Sequence, residues 1–262
     1  LTDRKKGQVL VRENFNLYKL FYSFKLDYME ELKQTNPRRD FLGTIAASAA
    51  ALGIASIGSP LHLAAEPKSP FNYADDADAW FNKINGKKHK IVFDVVEPGD
   101  PFIMPFAWSK VFILTNGATG TAEKDTGVVV ILRHAGIPFA FDSPVWEKYK
   151  FGEMFKVNDP KTKAPSVRNP LWKPATGDYV MPGFGNLDIG VNQLQDNGVM
   201  FCVCNAAMTV YSAVAAGMMN MNADDVKKEW TAGLLPGVQI VPSGVWAVGR
   251  AQEHGCAYCY AG

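Results

Sequence analysis

Gly127-Val-Val-Val-Ile-Leu-Arg133 is a run of apolar, mainly β-branched residues with no polar residue between its ends. A strand with one wet face alternates polar and apolar side chains. An unbroken run instead predicts a strand buried on both faces, as in a parallel sheet between layers of helices. Outward from it, Lys90-Ile-Val-Phe-Asp-Val-Val96, Val199-Met-Phe-Cys-Val-Cys204, Val238-Gln-Ile-Val-Pro242 and Cys256-Ala-Tyr-Cys-Tyr260 read as four further strands. Helical patterns over 108–114, 187–197, 209–219, 223–231 and 245–253 fall between them. Gly198 is placed to stop the second of these helices and Asn222 to cap the fourth. Strands separated by helices of that length need crossover connections, which predicts a mainly parallel five-stranded sheet with helices on both faces, a three-layer α/β domain. Residues 150–185, rich in Pro, Gly, Asn and Lys, interrupt the alternation and are expected to lie as an insertion over one edge or face.

The 262 residues include 27 Lys+Arg, 26 Asp+Glu and four Cys, and 47% are hydrophobic. Such a composition supports a sizeable core and excludes a disordered chain, a collagen-like repeat and a small disulfide scaffold. The net charge of +1 lacks the basic surplus of a general nucleic-acid binder. That balance is an average over unlike parts. Residues 1–39 hold nine Lys/Arg and five acids, residues 40–262 hold 18 and 21, and residues 41–65 hold none of either.

Asn36-Pro-Arg-Arg-Asp-Phe-Leu42 sets adjacent arginines before a Phe-Leu pair, and an Ala-, Gly- and Ser-rich apolar run follows over 43–57. With small residues at Ala64-Ala65, the layout resembles a twin-arginine (Tat) export signal. The resemblance implies passage through the Tat translocase to a bacterial periplasmic or otherwise exported location. An uncleaved membrane anchor and a buried helix are the competing readings of the run, although its many small residues would insert weakly into a bilayer. On the export reading, residues 1–28 are an unstructured upstream extension, 29–65 the signal, 66–87 a linker or N-terminal arm, and 88–262 the folded domain.

Three segments of the C-terminal third carry a second resemblance: Phe201-Cys-Val-Cys-Asn-Ala-Ala-Met208, Leu234-Leu-Pro-Gly-Val-Gln-Ile-Val-Pro-Ser-Gly-Val245 and Arg250-Ala-Gln-Glu-His-Gly-Cys-Ala-Tyr258. Together they resemble the DsrE/DsrF-like sulfur-relay family, and Leu132-Arg-His134 and Trp146-Glu-Lys-Tyr149 resemble segments of its secreted, Tat-signal-bearing members. The resemblance spans most of 88–262. It implies a flavodoxin-like sheet, frequent homo-oligomers, and a persulfide-accepting cysteine in the loop matched by Cys204. Its partners would be small sulfur species or a sulfur-donor or sulfur-acceptor protein; no cofactor and no nucleic acid are implied. A non-catalytic periplasmic ligand or metal binder, or an oligomeric scaffold of the same fold, is the alternative.

The residues themselves offer a short list of chemistry. Cys204 falls where a strand ends and a helix soon begins, and ligands of open α/β sheets bind at the carboxyl ends of strands. Helix N–H groups there favour the thiolate; packing as a small hydrophobe is the competing fate. His134 follows the Gly127 strand and is a candidate general base or hydrogen-bond donor beside Cys204, or a structural histidine. Asn116, Asn205, Ser243 and Gly244 fall at element ends where backbone N–H groups could hold a small anion. Cys202 reads as core packing, on the same side of its strand as Cys204.

Cys256-Ala-Tyr-Cys259 has clip spacing, but on a strand its two thiols point to opposite faces. A zinc site of all four cysteines also fails, because a flavodoxin-like order separates the third and fifth strands by the fourth, about 10 Å. His254 reads as structural and His89 as solvated, and Met218, Met219 and Met221 read as core at helical spacing. No G-x-G-x-x-G, Walker loop, H-E-x-x-H or nucleophile elbow occurs.

Overall fold

The structure, a computed structural model, describes residues 74–98 and 103–261. The upstream extension, the Tat signal and residues 66–73 of the expected linker lie outside the described residues. The main sheet has five strands, β1 (His89–Val95), β2 (Thr126–Leu132), β5 (Met200–Cys204), β6 (Val238–Val241) and β7 (Ala257–Tyr260), all pairing in parallel. A two-stranded hairpin, β3 (Val180–Met181) with β4 (Gly185–Asn186), stands apart from it. The domain is a three-layer α/β sandwich of the flavodoxin-like class, and every residue of β2 is buried, as its unbroken apolar run requires.

The helices divide between the two faces. On one face lie α2 (Met104–Ala118), α3 (Ser143–Lys148), α4 (Phe151–Met154), α5 (Val191–Asp196), α6 (Asn205–Met219) and α7 (Ala223–Ala232). Their larger core joins Phe93, Val130, Phe201 and Val203 of the strands to Phe106, Phe139, Trp146, Phe151, Met208 and Trp230. On the other face, α1 (Ala74–Phe81) and α8 (Gly244–Glu253) cover Val92, Val129, Ile131, Cys202 and Val241 with Ala77, Trp80, Phe81, Ala247 and Ala251. The period-two alternation of the strands sorts their side chains between these cores. Each large side chain buried this way contributes about 1.5–3 kcal/mol.

Several expectations change. The segment read as a linker or arm forms helix from Ala74, and Ala77 and Phe81 are fully buried, so it belongs to the domain. Its acids, Asp76 and Asp78, lie on the exposed side of a one-sided helix, and polarity there masked the buried stripe. The strand order is β6-β5-β2-β1-β7, so β2 and β1, not β6, separate the third and fifth strands of the main sheet. Met218 and Met219 are exposed, not core. The insertion over 150–185 does cover a face, but as structure: Phe151, Phe155, Val157, Leu171 and Tyr179 enter the larger core. Buried Asn169 ties it down, its amide donating to the carbonyls of Phe139 and Phe141 at 3.0 and 2.8 Å.

Candidate functional site

The end of β5 runs into α6 with no intervening loop. Cys204 is the last residue of the strand and also the N-cap of the helix, its Sγ accepting the N–H of Ala207 at 3.2 Å. Helix N-termini present unpaired N–H groups and positive potential, so this donor can hold negative charge on the sulfur. Neighbouring β6 leads through Pro242 and Ser243 into α8, on the opposite face. Adjacent strands that send their helices to opposite faces form a crevice at their carboxyl ends, where α/β proteins bind ligands. Cys204 and Ser243 stand at these adjacent strand ends, and the N–H of Ala206 bonds the carbonyl of Pro242 between them at 3.3 Å.

The junction is closely packed. Cys204 is 6% exposed and Asn205 2%. The Asn205 side-chain nitrogen is buried without a hydrogen-bond partner among the described residues, and a buried polar atom in that state calls for an explanation such as a ligand or ordered water. The Ser243 hydroxyl caps α8 by accepting from Trp246 N–H at 3.2 Å. Gly244, next in the chain, is glycine for a steric reason: a Cβ there would overlap the stem of Arg133.

Arg133 follows β2, and the β2–β5 register, continued by one residue, sets it level with Cys204. Its Nε and Nη2 donate to the two carboxylate oxygens of Asp94 at 2.6 and 2.8 Å. Asp94 lies on β1, 1% exposed, and also accepts from the Tyr258 hydroxyl of β7 at 2.8 Å. Asp94 raises the Arg133 pKa above its ordinary value, with smaller contributions from Tyr258 and Cys204. The same carboxylate pushes the Tyr258 phenol up. These groups were not expected from the sequence. The available signal was one acid inside an otherwise apolar strand, because a carboxylate buried at such a position demands a cation.

His134, beside Arg133, adopts the left-handed backbone conformation, φ 48°, uncommon for a residue with a Cβ. Its ring is exposed, and Nδ1 pairs with the Tyr211 hydroxyl of α6 at 2.8 Å. Burial and the charge of Glu97 push the Tyr211 phenol up, so the hydroxyl keeps its proton. A phenol that keeps its proton can donate to Nδ1 or accept from it, so the direction of this bond follows the imidazole tautomer. No hydrogen bond joins His134 to Cys204 among the described residues.

Of the other candidates, Asn116 is removed. It lies in the last turn of α2 with its amide bonded to the Phe112 carbonyl. That helix returns antiparallel to the strands over about 22 Å, which puts Asn116 at the far end of the sheet. Cys202 lies in the smaller core, where burial pushes its thiol up. Cys204 departs from the expected shared side: as a cap it turns toward α6 and packs with the larger core. Cys256 packs in the smaller core and Cys259 against the larger one, so the clip is split across the sheet. Burial pushes the Cys256 thiol up to about 11.

All four cysteines are free, and no cluster of three or more His, Cys, Asp or Glu suited to a metal occurs among the described residues. His254 is structural, stacked on Phe81 with its Nδ1 at 2.8 Å from Asn85 Oδ1. His89 is exposed.

No family model matches the chain, and no curated protein matches it. Among solved structures it is similar to a protein of unknown function, MTH1491 from Methanobacterium thermoautotrophicum, with 17% identity and a TM-score of 0.34 over 66% of this chain and all of that one.

Proposed function

We propose that the protein is an exported DsrE-like carrier of sulfane sulfur, in which Cys204 takes up one sulfur atom as a persulfide. The observation that carries the reading is the position of this thiol: a helix N-cap at the carboxyl end of β5, accepting the Ala207 N–H at 3.2 Å. The resemblance of segments 201–208, 234–245 and 250–258 supplies the sulfur chemistry. With thiosulfate, the Cys204 thiolate attacks the sulfane sulfur, the S–S bond breaks, and sulfite leaves with the electron pair. An acceptor thiolate then takes the outer sulfur and restores Cys204. Because Cys204 is nearly covered, a small sulfur species suits the site better than a protein donor. Exposed His134 and the unpaired side-chain amide of Asn205, next to Cys204 in the chain, are the polar groups assigned to holding the sulfur species.

Incubation with thiosulfate or polysulfide should add one sulfur, about 32 Da by intact mass, and release thiocyanate on cyanolysis. No adduct, or an adduct unchanged in Cys204→Ala, would overturn the reading. Export rests on Arg38-Arg39 and the apolar run after them, and the double substitution Arg38→Lys with Arg39→Lys should leave the protein in the cytoplasm on fractionation. Unimpaired export of that variant would sink the Tat assignment.

A further inference from the structure

The pair of Asp94 and Arg133 forms the floor of a second feature, a cleft of about 300 Å³ on the α8 side of the sheet, also lined by Val245, Val248, Gln252 and Tyr258. Both oxygens of Asp94 are engaged and its side chain is 2% exposed, so the carboxylate presents no open acceptor. The guanidinium is used along one edge alone. Nε and one N–H of Nη2 are spent on Asp94, which leaves the end-on fork, one N–H from each Nη, unpartnered among the described residues. The Arg133 side chain is 24% exposed. Overlap with any Cβ at 244 means that glycine there is what lets the arginine lie across the start of α8.

The other walls decide the kind of ligand. Val245, 67% exposed, with Val248 and the Tyr258 ring, makes an apolar surround, and Gln252 adds an amide at the edge. A free guanidinium fork matches the two oxygens of a carboxylate or sulfonate in a bidentate contact. Asp94 already neutralises one charge, so the cleft selects by fork geometry and apolar contact, not by a strong positive field, which disfavours a dianion. We propose that this cleft binds a small organic monoanion, a carboxylate or sulfonate on a short apolar or aromatic body, through the free edge of Arg133. The proposal does not rest on sulfur transfer at Cys204.

Isothermal titration of the full chain with benzoate and with benzenesulfonate should show saturable one-to-one binding. Benzyl alcohol, which keeps the ring without the charge, and inorganic phosphate, which keeps the charge without the ring, should each bind about tenfold more weakly or not at all. Arg133→Met strands Asp94 and endangers the fold, so Val245→Glu is the cleaner variant: the position is largely exposed, and the new carboxylate repels the ligand. It should weaken benzoate by about tenfold or more while unfolding as the parent does, and Cys204→Ala should leave benzoate binding intact. Absence of benzoate and benzenesulfonate binding, equal binding of the alcohol or of phosphate, or full affinity in Val245→Glu would each overturn the proposal. Loss of binding in Cys204→Ala would overturn its independence from the sulfur site.

Discussion

Cys204 does two jobs that substitution can separate. As N-cap it satisfies one helix N–H, and as a thiol it is the nucleophile of the proposed chemistry. Serine is among the strongest N-cap residues, so Cys204→Ser should fold with stability unchanged or raised by up to about 1 kcal/mol, while sulfur loading disappears. Urea unfolding read beside intact mass checks both; a Ser variant that still gained sulfur would place the carrier thiol elsewhere. Its place where a strand gives way to a helix was legible in the sequence, because strand period is a local property; that it caps the helix emerged with the structure. Asp94 was less so, because its partners Arg133 and Tyr258 stand 39 and 164 residues away. Asn116 was misread because the return length of α2, not the local turn chemistry, carries it to the far end of the sheet.

At the scale of elements, the insertion is held by its own ion pairs as well as by its aromatic anchors. Asp159 accepts from the N–H groups of Lys161 and Thr162 and pairs with Arg168 at 3.0 Å, while Asp178 pairs with Lys161 at 2.6 Å. Burial alone would raise the Asp159 pKa, but its backbone donors and Arg168 outweigh that and hold it below the ordinary 3.8. The hydrogen bond from Lys161 does the same for Asp178. A carboxylate whose folded pKa is depressed stabilises the fold above its unfolded value, and that contribution is lost as pH falls below it.

Residues 158–178 are therefore expected to loosen selectively below about pH 4 while the sheet persists. Hydrogen exchange corrected for its intrinsic pH dependence would show it, and uniform protection across insertion and sheet at pH 3 would refute it. None of this could be read from composition, since Pro, Gly and Lys in 150–185 describe a loop and say nothing of Phe151 and Tyr179 entering the core. The main strands and the helices α7 and α8 fell where periodicity and caps placed them, because those signals are written within a few residues of each element, whereas α6 begins at Asn205, ahead of its expected start at 209.

For the molecule as a whole, helix α6 carries no charged residue in fifteen, and its exposed face shows Val210, Val214 and Met218 at four-residue spacing, 61%, 49% and 74% exposed. Four-residue spacing makes one continuous stripe, and an apolar stripe turned to water is the mark of an interface. The homo-oligomer implied by the family resemblance would use it. Sedimentation velocity should then show an oligomer that Val214→Glu dissociates; a monomeric parent would remove that expectation. No helix among the described residues is long and apolar enough to cross a membrane.

Local pattern was enough for the layered α/β class, the buried central strand and the cysteine at a strand-to-helix junction, because period and propensity act over one turn or one strand. That β7 joins the sheet beside β1, on the far side from β6, emerges at the level of packing between distant elements. That choice depends on how the whole set of helices packs over both faces, which no local pattern encodes. It brings Tyr258 to Asp94 and Arg133, and so builds the cleft from residues that the chain keeps far apart.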